Sequence, residues 1–277
     1  MIPSIMGVLN VTPDSFSDGG RYVDLDAAVS HARRMVDEGA DVIDVGGEST
    51  RPGAVAGSID EELERVVPVI AAISGFGARI SVDTRHEQVA SAAIDAGASI
   101  INDVSASLWP VAARRGVGWL AMHMAGDPAS MQQRVPTYRD VCREVGDELV
   151  AHANAAAHGG VAEIWIDPGI GFGKTAQHNL ELVARIDELV ATGIPVALGV
   201  SRKSTLGALC AQADRTPDRP PAPTDRLEAA LTMAVWAMAA GVSLIRVHDV
   251  AAHVAALGMA FERLNAPNHL QNGLRAG

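Results

Sequence analysis

Polar side chains that could bind or transform a ligand recur at one kind of place in this sequence, the end of a short apolar run. SIMGVLN ends in Asn10, DVIDVGG leads on to Glu48, Thr50 and Arg51, ARISVDT carries Asp83, and ASIIND carries Asn102. GWLAMHM carries His123 and EIWIDPG carries Asp167; PVALGVS leads into Ser201, Arg202 and Lys203, and SLIRVHD carries Arg246 and His248. A lone Asp after a strand is most often a helix N-cap, since its carboxylate satisfies the first unpaired N–H groups. Lys and Arg offer no acceptor and make poor N-caps. Arg51, Lys203 and Arg246 therefore argue for an anionic ligand rather than for local structure. His248 alone would pass for an ordinary surface histidine, but it stands two residues beyond Arg246 at the same strand end.

One stretch, IWIDPGIGFGK at 164–174, nearly matches nucleotide-binding patterns and fails both. GxxxxGK[ST] would need glycine where Pro168 stands, and GxGxxG does not fit glycines at 169, 171 and 173. Lys174 reads as a solvent-facing or structural lysine. No Ser–His–Asp or Cys–His arrangement stands out, so no side-chain nucleophile is expected.

The elements that must carry these residues repeat strand then helix. The eight apolar runs are partly β-branched, and the segments between them have helical spacing, as at Leu25, Val29, Ala32 and Val36, or at Leu63, Val66, Val67 and Ile70. Asp24 and Asp60 suit N-caps and Gly39 a C-terminal stop. Eight such units predict an α/β protein of the (β/α)8 TIM barrel class, with a doubly wound open sheet as the rival. The 277 residues suit that barrel, which needs roughly 250. Its active site is then built where the C-terminal strand ends converge. We expect one domain over 1–265, an exposed proline-rich loop at 212–225, and a loose tail at 266–277.

Hydrophobic residues make up 48% of the chain but aromatics only 4%, so the core must be aliphatic, as buried parallel strands require. The net charge of −11 argues against nucleic acid or an anionic membrane as partner. An anionic ligand must instead meet a local cluster of Arg, Lys and backbone N–H groups, with or without a metal. Cys142 and Cys210 give neither a disulfide framework nor a metal-type spacing, which favours a reducing cytoplasm. The opening MIPSIMGVLN lacks the pattern of a secretory signal, and the uncharged run Ala229–Ile245 is short for a membrane span and interrupted by Gly241.

GVLNVTPDSFSDGG, DVGGESTRPGA, SVDT, IND, IDPGIGFGK, SRKS and RVHDV occur here in that order. The series resembles the dihydropteroate synthase family of pterin-binding barrels, from Gly7 to about Val250. The resemblance implies condensation of 6-hydroxymethyl-7,8-dihydropterin pyrophosphate with p-aminobenzoate. It assigns the pterin to Asp83, Asn102, Asp167, Lys203, Met122 and Gly199, and the pyrophosphate to Asn10, Arg51, Arg246 and His248. Thr50, Pro52, Phe172, Lys203 and Ser204 match the p-aminobenzoate site, with the start of the helix after Lys203 suited to the benzoate carboxylate. Magnesium is the implied cofactor, with Asn10 its expected protein ligand, and the loops 12–20 and 46–54 match mobile loops that close over the site. A homodimer and sulfonamide binding are implied on the same ground. Two alternatives stay open. A methyltetrahydrofolate-binding methyltransferase module would share the pterin residues but not the pyrophosphate cluster. A catalytically inactive pterin-binding paralogue is the other, since the family often has VSGG after IND where this chain has VSASLWP.

Overall fold

The computed structural model describes residues 1–12, 25–48, 57–126, 136–216 and 218–265. Eight parallel strands form its centre: β1 (Ser4–Asn10), β2 (Val42–Gly46), β3 (Arg79–Asp83), β4 (Ile100–Asp103), β5 (Gly118–Met122), β6 (Ile164–Asp167), β7 (Ala197–Leu198) and β8 (Leu244–Val247). They run side by side in the order β6-β5-β4-β3-β2-β1-β8-β7. The ring closes through a parallel bridge between Ile166 and Val196, where the Ile166 N–H donates to the Pro195 carbonyl at 3.0 Å. This is the expected (β/α)8 barrel, not the open sheet. Between and after the strands lie α1 (Leu25–Asp37), α2 (Ile59–Ile73), α3 (Glu87–Ala96), α4 (Trp109–Arg115), α5 (Val141–His158), α6 (Ala176–Ala184), α7 (Ile186–Val190), α8 (Ser204–Ala213), α9 (Leu227–Ala240) and α10 (Val250–Asn265).

Side-chain alternation divides each strand between two cores. Leu9, Ile43, Val45, Val82, Ile101, Ile166 and Ile245 face outward and pack with the helices. Met6, Val42, Ile100, Leu120, Ala197 and Leu244 fill the barrel interior, with Trp165 against them. Two or four residues beyond each interior residue lies an inward position nearer the strand's C-terminal end. Those positions are Asn10, Asp44, Asn102, Met122, Asp167, Gly199 and Arg246. Strand register sets them side by side, pairing Asn10 with Gly46, Gly46 with Asp83, Asp83 with Asn102, and Met122 with Asp167.

Three local expectations need correction. The N-cap of α2 is Ser58 rather than Asp60: its hydroxyl accepts from the Glu61 N–H at 3.2 Å, and Glu61 accepts from the Ser58 N–H at 3.1 Å. Reciprocal capping of two free N–H groups outcompetes a single aspartate two residues later. On α1 the fully buried stripe is Ala28, Ala32 and Met35, while Leu25 is exposed. Met35 reaches β1 at Gly7, where a Cβ would stand 2.8 Å from its sulfur, so glycine there decides the helix's rotation. β7 retains only two ladder residues, Ala197 and Leu198, of the run PVALGVS. Gly39 does stop α1, at φ 99°. The described part of 212–225 is exposed apart from a half-buried Pro221, although α8 extends to Ala213. Asp24 and residues 266–277 lie outside the described residues.

Candidate active site

Arg246 on β8 is the centre of the mouth. Its Nε donates to Asp44 Oδ2 at 2.6 Å and its Nη2 to Asp83 Oδ2 at 2.7 Å. Asn102 Nδ2 donates to the same Asp44 oxygen at 3.0 Å. Sequence reasoning missed Asp44, which is 0% exposed and whose Oδ1 has no hydrogen-bond partner. The signal was present: a carboxylate inside an apolar strand, two residues from Val42 and thus on the inward side. Arg246, expected at the pyrophosphate, is held in place by these two carboxylates.

Across the mouth, Asp167 ends β6 and accepts the Gly169 N–H at 2.7 Å, an Asx-type turn into the glycine loop. A Cβ on Gly199 would stand 3.8 Å from Arg246 Cδ and 3.9 Å from Asp167 Oδ2, so these two lie on one rim with only a glycine between them. Lys203 donates to the Ile170 carbonyl at 2.6 Å, and its ammonium lies 4.7 Å from the Phe172 ring centroid. Met122 is buried at the end of β5 beside Asp167. Ser204 is exposed at the first residue of α8, whose N-cap, Lys203, supplies no capping side chain.

Of the two readings of Lys174 the structural one holds: it is 3% exposed, and its ammonium meets His123 Nδ1 at 2.8 Å and the carbonyls of His123, Gly169 and Phe172 at 3.2, 3.0 and 3.1 Å. His123, a strand-end candidate, therefore lies behind the mouth as an acceptor. Glu48 is likewise engaged, accepting from Arg85 at 2.9 and 3.1 Å. Glu48, Glu62 and His86 are close enough to share a cation, but His86 already bonds Glu62 at 2.7 Å and Arg85 offsets Glu48. His248 is fixed by Ser201, whose hydroxyl accepts the His248 N–H at 3.2 Å and meets its Nδ1 at 3.1 Å. Thr50, Arg51 and Pro52, with most of both expected closing loops, lie outside the described residues.

Burial raises the Asp83 carboxyl to about 7; Arg246 counteracts it, but that guanidinium is shared with Asp44, whose charge repels. Asp167 is also raised by burial, against the pull of Lys203. Burial lowers Lys203 to about 8 despite Asp167. Arg246 loses solvation too, but Asp44 and Asp83 more than restore its charge. Burial and the neighbouring Lys174 push His123 down to about 3, and burial lowers Lys174 to about 7. The mouth thus presents ionisable acceptors, one amide and a desolvated ammonium around a glycine-floored gap. Such a surface hydrogen-bonds the edge of a flat polar heterocycle, with basic groups at one side for an anionic tail.

The family described as pterin binding enzymes matches residues 6–248. The chain is 48% identical over 262 residues to the dihydropteroate synthase of Mycobacterium leprae, covering 91% of this chain and 90% of that protein. It is 43% identical over 271 residues to the Escherichia coli enzyme of the same name, covering 95% and 93%. A solved dihydropteroate synthase of Xanthomonas albilineans with 4-aminobenzoic acid superposes with a TM-score of 0.86 at 41% identity, over 96% of this chain and 94% of that one. The same organism's enzyme in complex with 7,8-dihydropteroate superposes with a TM-score of 0.82 at 38% identity, over 96% and 95%.

Proposed function

Because the chain belongs to the pterin-binding enzymes, we infer that its barrel mouth joins 6-hydroxymethyl-7,8-dihydropterin pyrophosphate to p-aminobenzoate, releasing 7,8-dihydropteroate and pyrophosphate. The observation that carries this reading is the arrangement of Asp83, Asn102 and Asp167 around Arg246 and Lys203, all inward-facing at one rim. A pterin edge offers a 2-amino group, ring N–H groups and a carbonyl. Asp83, Asn102 and Asp167 accept from it and Lys203 donates to it, with Met122 and Gly199 shaping the floor. A heterocycle lacking those groups would leave buried polar atoms unpaired and is rejected for that reason.

Asn10, Arg51, Arg246 and His248 receive the pyrophosphate. The pterin C–O bond breaks with its electron pair leaving on pyrophosphate, and the amine lone pair of p-aminobenzoate forms the new C–N bond before losing its proton. Asp83 and Asp167 stabilise the electron-poor pterin methyl group, while Arg246 and His248 stand where negative charge grows; fixed charges so placed are usually the largest catalytic contribution. Phe172, Lys203 and Ser204 bound the p-aminobenzoate side, which fits the ring and ammonium at 4.7 Å from one another; the family resemblance assigns Thr50 and Pro52 to the same substrate.

Magnesium fits at Asn10. Asn10 Oδ1 and Asp83 Oδ2 each lie 3.7 Å from where a Gly46 Cβ would stand, so an oxygen donor faces space that glycine leaves open. One hard oxygen ligand suits an ion that keeps its remaining places for water and pyrophosphate. Bound there, it would neutralise charge on the leaving group.

A homodimer is supported by the last two helices. Trp236 on α9 and Val254, Met259 and Leu264 on α10 are exposed large apolar side chains, of the kind a subunit interface covers. A cytoplasmic location accords with two free cysteines and with the absence, among the described residues, of a helix long and apolar enough to cross a membrane. The test of the activity is direct. The purified chain, mixed with the pterin pyrophosphate, p-aminobenzoate and magnesium, releases pyrophosphate; folded protein that releases none above background rules the reading out.

A further inference from the structure

We propose that Lys174 is a positioning residue: its ammonium clamps the glycine loop after β6 onto the end of β5 and thereby sets Phe172 and the Ile170 carbonyl against Lys203. The proposal rests on the synthase reading for what those groups bind, but the clamp itself is a matter of geometry.

The loop from Pro168 to Gly173 has an unusual backbone. Gly169, Gly171 and Gly173 all have positive φ, at 66°, 87° and 63°. It is also pressed against its neighbour. A Cβ on Gly169 would stand 1.8 Å from the His123 carbonyl oxygen, and one on Gly173 would stand 2.3 Å from that of Ala125. A segment with three glycines in five residues loses much conformational freedom on ordering, so something must hold it.

Three ammonium protons meet acceptors from both segments. His123 O and Nδ1 come from the β5 end, Gly169 O and Phe172 O from the loop, at 3.2, 2.8, 3.0 and 3.1 Å. When Lys174 is charged it has no acceptor, so His123 Nδ1 accepts and the imidazole proton lies on Nε2, 3.6 Å from Glu148. A single buried cation thus takes the place of water for carbonyls on two loops at once. Its consequence reaches the mouth. Between the two clamped carbonyls of Gly169 and Phe172 lies Ile170, whose carbonyl receives Lys203 at 2.6 Å, and the Phe172 ring stands 4.7 Å from the same ammonium. Releasing the clamp would therefore shift both contacts that orient Lys203 without altering any residue that touches substrate.

The test combines two independent readouts. In Lys174→Met, amide hydrogen exchange across 168–173 accelerates roughly tenfold or more while exchange in β1 to β4 is unchanged. The KM for p-aminobenzoate rises roughly tenfold or more, and adding Phe172→Leu to Lys174→Met costs clearly less than Phe172→Leu costs in the native chain. If Lys174→Met does not fold, Lys174→Gln, which keeps two donors, is held to the same measurements. Unchanged exchange in the loop overturns the clamp whether or not the chain turns substrate over. Faster exchange with unchanged KM and additive mutations leaves the synthase reading intact and overturns the link to Phe172. Absent turnover in the native chain defeats the synthase reading alone, and the exchange measurement still decides the clamp.

Discussion

Arg246 serves two carboxylates at once, and that sharing determines how the mouth responds to pH. Burial pushes Asp83 up to about 7, and a guanidinium shared with Asp44 offsets this only in part. Lys203, desolvated, titrates near 8. As pH falls through the first value Asp83 gains its proton, and one of its acceptor oxygens becomes an O–H donor mismatched to the pterin N–H groups. As pH rises through the second, Lys203 loses its charge and donates more weakly. A bell-shaped plot of kcat/KM against pH is expected, with its optimum between these values and its limbs reporting the free enzyme. Asp44→Asn removes the competing charge while leaving burial in place, so the acid limb should move down. An acid limb that stays in place in Asp44→Asn would show that Asp83 is not the group seen, or that Asp44 does not govern it.

At the scale of elements, the loop after β4 stores strain where the residues differ from the family pattern. Asp103 organises it, accepting from Ser105 N–H at 2.9 Å, Ser105 Oγ at 2.6 Å and Leu108 N–H at 2.6 Å, and from buried Trp119 Nε1 at 3.1 Å. Within this turn Ala106 has φ 51°, a left-handed backbone that costs an L-residue about 1–2 kcal/mol. In VSAS the turn is held with Ala106, not glycine, at the left-handed position. Ala106→Gly should raise the urea midpoint by an amount equivalent to roughly 0.5–1 kcal/mol, since relieved strain exceeds the added freedom of the unfolded chain. A midpoint that falls instead would place the alanine's value in contacts, not conformation. The strand runs were legible because each is a local pattern, and Gly39 because only its own φ matters. Ser58 was not preferred over Asp60 because both are good caps, and the choice turns on a reciprocal bond from Glu61.

For the whole molecule, the exposed apolar side chains Trp236, Val254, Met259 and Leu264 fall on the last two helices, α9 and α10. Sedimentation velocity should therefore give a dimer at micromolar concentration, and Trp236→Glu should shift it toward monomer while leaving the barrel's unfolding cooperative. A native chain that sediments as a monomer would remove the dimer. Closure of the ring through Ile166 and Val196 is what allows positions from the first and last strands to share one mouth.

Sequence alone determined the eightfold alternation, the aliphatic core and the polar residues carried at strand ends, because period-two burial and capping preferences act over a few residues. It pointed to Asp83, Asn102, Asp167, Lys203, Arg246 and His248 for the same reason, and their assembly at one rim follows from parallel strands. Only the tertiary structure decided that Asp44 joins them, that Arg246 is held between two carboxylates, and that Lys174 turns inward. Arg246 and Asp44 are separated by 202 positions and Lys174 and His123 by 51. Charge compensation and desolvation depend on such distant neighbours, and no local pattern in the chain encodes them.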